Sequence, residues 1–127
     1  MKNPRVLIAD DVLEIRELLS VFLECSDCEI IGEVVDGNAA LKSINELDPD
    51  MVFLDINMPG ISGLDILDII KENQTIFPVI ISGDNDINTI KTAMAKGAKG
   101  FISKPFSENK VEQLVSKYIN DQNNCGN

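Results

Sequence analysis

The chain has 127 residues, the length of one ordinary domain, and its 44% hydrophobic and 25% charged residues are typical of a globular protein. Its formal net charge of -10 disfavours direct nucleic-acid binding, because phosphate backbones are bound by clustered Lys and Arg. The absence of histidine excludes Ser-His-Asp and Cys-His nucleophile pairs, His-ligated zinc and phosphohistidine carriers.

Apolar runs are all too short for membrane insertion, since a spanning helix needs roughly 18 consecutive apolar residues. The amino terminus also lacks the apolar region of a secretory signal. We therefore predict no membrane association and a cytoplasmic location.

Along the chain, apolar runs of strand length alternate with stretches of helical period, a pattern that indicates repeated βα units around a parallel sheet. The predicted strands are about Arg5 to Ala9, Glu29 to Val35, Met51 to Leu54, Val79 to Ser82 and Gly100 to Ser103. The predicted helices are about Val12 to Cys25, Asn38 to Leu47, Leu64 to Glu72, Ile87 to Lys96 and Ser107 to Ile119. Five such units favour an open, doubly wound α/β sheet over a barrel. Residues 1–119 are predicted to form the domain, and residues 120–127 a polar tail or linker stump.

The first helix carries two features with ordinary structural interpretations. Asp11 and Glu14 match a D-x-x-E capping box, so Asp11 could simply cap this helix. Cys25 and Cys28 form a CxxC pair at the end of the helix, where the helix dipole opposes a thiolate. We interpret both cysteines as structural.

Polar side chains follow four of the five predicted strands. They are Asp10 and Asp11 after the first, Asp55 after the third, Ser82 at the end of the fourth and Lys104 after the fifth. Ligands of such sheets lie beyond the carboxyl ends of the strands, so these residues should share one crevice. Three carboxylates there would repel each other, which calls for raised pKa values or a bound cation. Mg²⁺ fits best, because it prefers oxygen ligands.

An aspartate beside such an ion can act as a nucleophile that forms an acyl phosphate. Lys104 can neutralise one phosphoryl oxygen, and the Ser82 hydroxyl can donate a hydrogen bond to another. Individually, Asp55 could be a loop-starting residue and Lys104 a surface lysine. Their coincidence on four strand ends instead favours a phosphorylation site.

The same residues resemble the receiver domain of two-component response regulators over about residues 4 to 119. The motifs that carry the resemblance are Asp10-Asp11, the segment from Leu54 to Gly63, Ser82, Gly97-Ala98 and the segment from Phe101 to Phe106. The resemblance implies a flavodoxin-like (βα)5 fold with the strand order 2-1-3-4-5.

The resemblance also implies the chemistry of the crevice. Asp55 would be phosphorylated from a phosphohistidine on a sensor histidine kinase or a phosphotransfer protein. Asp11, Asp55 and the main-chain carbonyl of Asn57 would hold Mg²⁺, and Asp10 would act mainly through water. The protein would not be a conventional enzyme, because it would catalyse only its own phosphorylation and dephosphorylation.

For the output, the resemblance makes Ser82 the switch hydroxyl, Phe101 the switch aromatic and Lys104 the contact to the phosphoryl group, with a cis bond between Lys104 and Pro105. A downstream protein or a second copy would then bind the face formed by the fourth helix, fifth strand and fifth helix.

Three other functions use a similar fold or a similar aspartate. The alternative is an interaction domain that keeps this fold but works without phosphorylation. An aspartyl phosphatase would need a second carboxylate at Asn57, which is absent. A flavin carrier would place its phosphate against the acidic Asp10-Asp11 turn, where like charges oppose it.

Overall fold

The computed structural model describes residues 3–73, 75–83 and 87–125, and in these residues five strands alternate with five helices. The strands are β1 (Arg5–Ala9), β2 (Glu29–Val34), β3 (Met51–Asp55), β4 (Phe77–Ser82) and β5 (Gly100–Ser103). The helices are α1 (Leu13–Cys25), α2 (Gly37–Leu47), α3 (Gly63–Ile70), α4 (Ile87–Ala95) and α5 (Glu108–Cys125). All strand pairs are parallel, and the order β2-β1-β3-β4-β5 confirms the predicted doubly wound fold.

Successive side chains of a strand point to opposite faces of the sheet, and helices cover both faces, so both sets of side chains are buried. In β1, Val6 and Ile8 pack with side chains of α1 and α5, whereas Leu7 and Ala9 pack with side chains of α2, α3 and α4. Both sets of side chains are fully buried. This double burial explains why the central strands are apolar throughout instead of alternating. In the described part of the chain no helix is long and apolar enough to span a membrane.

Strand β4 begins at Phe77, two residues before the predicted start at Val79. A proline lacks the N–H that a sheet interior uses, so Pro78 disfavours a strand at the sequence level. Here Pro78 pairs with Val52 of β3, and its carbonyl accepts a hydrogen bond from the Lys99 N–H at 2.8 Å. Pro78 therefore takes part in the sheet through its carbonyl oxygen, and the N–H that proline lacks is not required at this position.

Helix α5 continues past the predicted end at Ile119 and reaches Cys125. The polar residues after Ile119 have no apolar stripe, which is why the sequence predicts a tail there. They nevertheless contain no glycine or proline before Gly126. Extending an existing helix adds one hydrogen bond for each residue fixed, which is much easier than starting one. The division of the chain at residue 119 into domain and tail stays a prediction.

The start of α1 shows that the capping-box interpretation of Asp11 is wrong. Val12 occupies the N-cap position, and no side chain caps this helix. Instead, Asp10 Oδ1 accepts the Val12 N–H at 2.8 Å and so shapes the turn between β1 and α1. Asp11 lies within this turn, with its side chain exposed.

Cys25 and Cys28 are both free thiols in the structure. Cys25 is exposed, whereas Cys28 is buried in the layer between the sheet and helices α1 and α5. Burial, with a smaller contribution from Asp27, raises the pKa of the Cys28 thiol to about 11. Its reactive thiolate is therefore disfavoured, as expected of a structural cysteine.

Gly37 is the point at which α2 meets the loop that leads from β3 to α3. Its N–H donates to the carbonyl of Pro59 at 2.9 Å, and a Cβ at this position would lie 1.7 Å from the carbonyl oxygen of Ile61. Only hydrogen fits in this space. The contact fixes the loop that follows Asp55.

We predict that Gly37→Ala destabilises the fold by about 1–3 kcal/mol, because the added methyl group must push this loop away. Gly83→Ala is the matched control, since an added Cβ there meets no atom within 4 Å. Chemical unfolding of the two variants measures the difference, and equal stabilities would contradict the close packing at Gly37.

Candidate functional site

The candidate site lies where the strand order reverses, between the carboxyl ends of β1 and β3. Asp10 follows β1, Asp55 ends β3, Ser82 ends β4 and Lys104 follows β5. The Lys104 Nζ atom lies 3.1 Å from Asp10 Oδ2 and 3.3 Å from Asp55 Oδ2. Three residues that are far apart in sequence thus meet in one crevice, at the position where ligands bind doubly wound sheets.

The predicted acidic cluster is present. One carboxylate oxygen from each of Asp10, Asp11 and Asp55 can be chosen so that all three lie within 4.8 Å of one another. Asp10 is fully buried and Asp55 is 4% exposed, whereas Asp11 faces solvent. The cluster therefore has two fixed carboxylates inside and a third at its mouth.

Lys104 supplies the positive charge of the crevice. Burial alone would lower the pKa of its ammonium group, but hydrogen bonding and Coulomb attraction from Asp10 and Asp55 outweigh burial and raise that pKa. Lys104 is therefore charged at neutral pH. One ammonium group cannot neutralise three carboxylates, so the crevice keeps an excess of negative charge.

Asp10 is the most deeply buried of the three carboxylates. Its Oδ1 atom accepts the Val12 N–H at 2.8 Å, and its buried Oδ2 atom lies 3.1 Å from the ammonium nitrogen of Lys104. Burial raises the pKa of Asp10, although the Val12 N–H opposes the rise. A buried carboxylate oxygen needs a cation or a hydrogen-bond donor, and the Lys104 ammonium group is shared between Asp10 Oδ2 and Asp55 Oδ2. The oxygen donors present therefore fit a hard divalent ion.

The Asp55 carboxylate is held at both oxygens. Oδ1 accepts the main-chain N–H of Asn57 at 3.0 Å, and Oδ2 faces Lys104. The backbone is fixed as well, because α3 packs so closely that a Cβ on Gly63 would lie 2.7 Å from the Asp55 carbonyl oxygen. Asp55 therefore presents its carboxylate to the crevice in one defined orientation.

The predicted switch residues occupy neighbouring positions on β4 and β5. Ser82 is 3% exposed, and its carbonyl accepts the Lys104 N–H at 2.9 Å, which joins the ends of the two strands. Phe101 is half-buried against the layer formed by α2, α3 and α4, and Lys110 Nζ lies 5.5 Å from its ring centroid. The Lys104-Pro105 peptide bond is cis, as the resemblance implied.

Sequence reasoning missed one residue at the site. Arg16 Nη1 donates to the main-chain carbonyl of Asp10 at 2.9 Å, and Arg16 Nε lies 3.4 Å from a carboxylate oxygen of Glu33. Arg16 is the single basic residue in α1, beside an acidic turn. That isolated charge is the signal that could have identified it.

Comparisons with known proteins agree on a family. The family model described as "Response regulator receiver domain" matches residues 6–116. The chemotaxis protein CheY of Listeria monocytogenes is 33% identical over 89% of this chain and 96% of its own length.

Solved structures give the same family. The receiver domain of the response regulator NarL from Mycobacterium tuberculosis superposes with a TM-score of 0.86 at 28% identity, over 92% of this chain and 96% of that one. CheY of Borrelia burgdorferi, solved in a complex described as CheX-CheY-BeF3-Mg, gives a TM-score of 0.85 at 31% identity. That match covers 93% of this chain and 90% of the other.

Mg²⁺ should raise the melting temperature of the protein, because an ion that binds only the folded state stabilises it. At ten times the dissociation constant the gain is about 1.4 kcal/mol, which corresponds to a shift of several degrees in a domain of this size. Asp11→Ala should reduce the shift without loss of stability in metal-free buffer, because Asp11 does not cap α1. Glu112→Ala, which removes an exposed carboxylate from α5, is the control. A full Mg²⁺ response in Asp11→Ala would contradict a role for Asp11 in holding the ion.

Proposed function

The chain belongs to the response-regulator receiver family of two-component signal transduction, and on that premise we propose that it accepts a phosphoryl group on Asp55. The observation that carries the proposal is the pairing of Asp55 with Lys104 inside an acidic cluster at the switch point of the sheet. Asp55 combines a fixed orientation with a cationic neighbour, and at 4% exposure it is more open to an incoming phosphoryl group than Asp10, which is fully buried. The protein is accordingly a signalling domain.

The proposed donor is a phosphohistidine of a sensor histidine kinase or a phosphotransfer protein. A carboxylate oxygen of Asp55 attacks the phosphorus, a P–O bond forms, the P–N bond breaks, and the electron pair leaves with the imidazole. Transfer of this kind depends mostly on positioning and on neutralising charge. Lys104 is placed to neutralise one phosphoryl oxygen, and the Ser82 hydroxyl would donate to another.

Asp10, Asp11, Asp55 and the main-chain carbonyl of Asn57 are the residues proposed to hold Mg²⁺, with Asp10 acting mainly through water. When bound, the ion supplies positive charge to the oxygens of the phosphoryl group. The arrangement of three carboxylates around the single ammonium group of Lys104 supports this assignment. The Borrelia relative, whose complex is described with BeF3 and Mg, supports it independently.

The proposed output is a protein surface formed by α4, β5 and α5, which a downstream protein or a second copy would bind. Residues 76–127 hold 6 basic and 5 acidic side chains, against 5 and 16 in residues 1–75, so a protein partner meets less repulsion there. The complex of the Borrelia relative with CheX shows that a receiver domain can have a protein partner. We propose a protein reader, no direct contact with nucleic acid, and a cytoplasmic location beside the kinase.

Phosphorylation would change this surface through Ser82 and Phe101. A phosphoryl group on Asp55 offers new acceptor oxygens that can draw the Ser82 hydroxyl towards the crevice. Phe101 is already half-buried, so an inward movement of its ring would bury only the part of its apolar surface that is still exposed. Its movement would also have to break the contact with Lys110 on α5. The switch therefore couples the crevice to α5 directly.

Incubation with acetyl phosphate and Mg²⁺ should add one phosphoryl group, about 80 Da, by the nucleophilic chemistry of an aspartate. Asp55→Asn should gain nothing. Asp36→Asn is the matched control, because asparagine keeps the cap that Asp36 provides for α2 and leaves the crevice untouched. Intact-mass spectrometry reports the result, and equal labelling of wild type and Asp55→Asn would reject the assignment. Absence of labelling in both would instead favour an interaction domain that works without phosphorylation.

Beryllofluoride with Mg²⁺, a mimic of the phosphoryl group, should change NMR shifts in α4, β5 and α5 as well as in the crevice. In Phe101→Ala the changes should be confined to the crevice, because the ring that transmits them is gone. Phe22→Ala removes a half-buried ring from the opposite layer and should keep the wide response. A wide response in Phe101→Ala would show that Phe101 does not transmit the signal.

A further inference from the structure

Arg16 connects the acidic turn to the edge of the sheet. It lies in the first turns of α1, with 14% of its side chain exposed, and contacts two different elements. Nη1 donates to the Asp10 carbonyl at 2.9 Å, and Nε pairs with Glu33 of β2 at 3.4 Å. The guanidinium group is planar, so two contacts from one fork fix its orientation.

The Asp10 carbonyl belongs to the peptide unit that joins Asp10 to Asp11. Because a peptide unit is planar, a hydrogen bond to its oxygen also fixes the direction in which the chain enters Asp11. On the preceding side the Asp10 N–H donates to the Val34 carbonyl of β2 at 3.1 Å. The main chain of Asp10 is thus held through β2 on both sides, once directly and once through Arg16 and Glu33.

We infer that Arg16 is a positioning residue for the divalent ion: oriented by Glu33, it holds the Asp10-Asp11 peptide so that the Asp11 carboxylate stays beside those of Asp10 and Asp55. The inference rests on the proposed Mg²⁺ site. Arg16 would act through Asp10 and not as a ligand, since its side chain binds the carbonyl of Asp10 and the carboxylate of Glu33.

The direction in which Mg²⁺ affinity changes when Arg16 is removed distinguishes a positioning role from a purely electrostatic one. If Arg16 acted only as a nearby positive charge, removing it would strengthen cation binding. If Arg16 positions the turn, removing it weakens binding, and a lysine cannot restore binding because it lacks the planar fork. Partners of this kind around metal ligands typically contribute about 10-fold to 100-fold in affinity.

The test is isothermal titration calorimetry with MgCl₂ on the full chain at 25 °C. Arg16→Gln and Arg16→Lys should both bind Mg²⁺ about tenfold more weakly than wild type. Glu33→Gln should lose less Mg²⁺ affinity than Arg16→Gln does. The Arg16→Gln, Glu33→Gln double variant should bind Mg²⁺ as strongly as Arg16→Gln alone, because the two residues act through one contact. Lys42→Gln is the matched control, since it breaks the exposed ion pair with Glu46 on α2 and should bind like wild type.

Urea unfolding in metal-free buffer establishes that each variant is folded. Wild-type or tighter Mg²⁺ affinity in either folded Arg16 variant would overturn the inference, and so would failure of both variants to fold, because Arg16 would then be a structural residue. If wild type is labelled on Asp55 and binds Mg²⁺ while the Arg16 variants bind equally well, only this inference fails. If wild type binds no Mg²⁺, the proposed ion site fails with it.

Discussion

The site depends on a shortage of positive charge at the switch point of the sheet. The ammonium group of Lys104 lies 3.1 Å from the buried carboxylate of Asp10 and 3.3 Å from that of Asp55. A third carboxylate, that of Asp11, lies at the mouth of the crevice. Buried charges of like sign are tolerated only when a cation or a proton compensates them. The crevice therefore carries a net negative charge that a divalent ion would compensate.

The rest of the fold keeps these charged groups from moving apart. The carboxylates of Asp10 and Asp55 follow strands that are buried on both faces, so their main chains cannot relax without disturbing the core. Gly63 allows α3 to pack closely against the Asp55 carbonyl, and Gly37 allows α2 to pack closely against the loop that follows Asp55. A preorganised arrangement of this kind stabilises charge without rearranging at the moment of reaction.

The sequence predicts a structural feature reliably where a residue pattern is compatible with only one structure. Strands that are buried on both faces appear in the sequence as apolar runs. The residues that follow such strands lie at the carboxyl ends of a parallel sheet, so Asp10, Asp55 and Lys104 could be placed together. The sequence could not decide the role of Asp11, because a capping box and a metal ligand share the same residue pattern. The backbone, with Val12 at the N-cap, excludes the cap, and the role of Asp11 in holding a metal stays a prediction.

Two other errors arise because contacts between residues far apart in sequence override local preference. Pro78 enters β4 because its neighbours in the sheet need only its carbonyl. Contacts between residues on different elements, such as the one from Arg16 to Glu33, leave no periodic trace in a sequence. A side chain that acts by holding a main-chain carbonyl is harder still to recognise, because any donor of suitable length could do so.

We propose that the negatively charged crevice makes Asp55 the residue that carries phosphate. Borohydride reduces an acyl phosphate to an alcohol, so it would convert phosphorylated Asp55 to homoserine and mark the position permanently. We predict that peptide mass spectrometry after labelling and reduction finds homoserine at residue 55 and unmodified aspartate at residues 10 and 11. Homoserine at either of those residues, with residue 55 unchanged, would contradict the account.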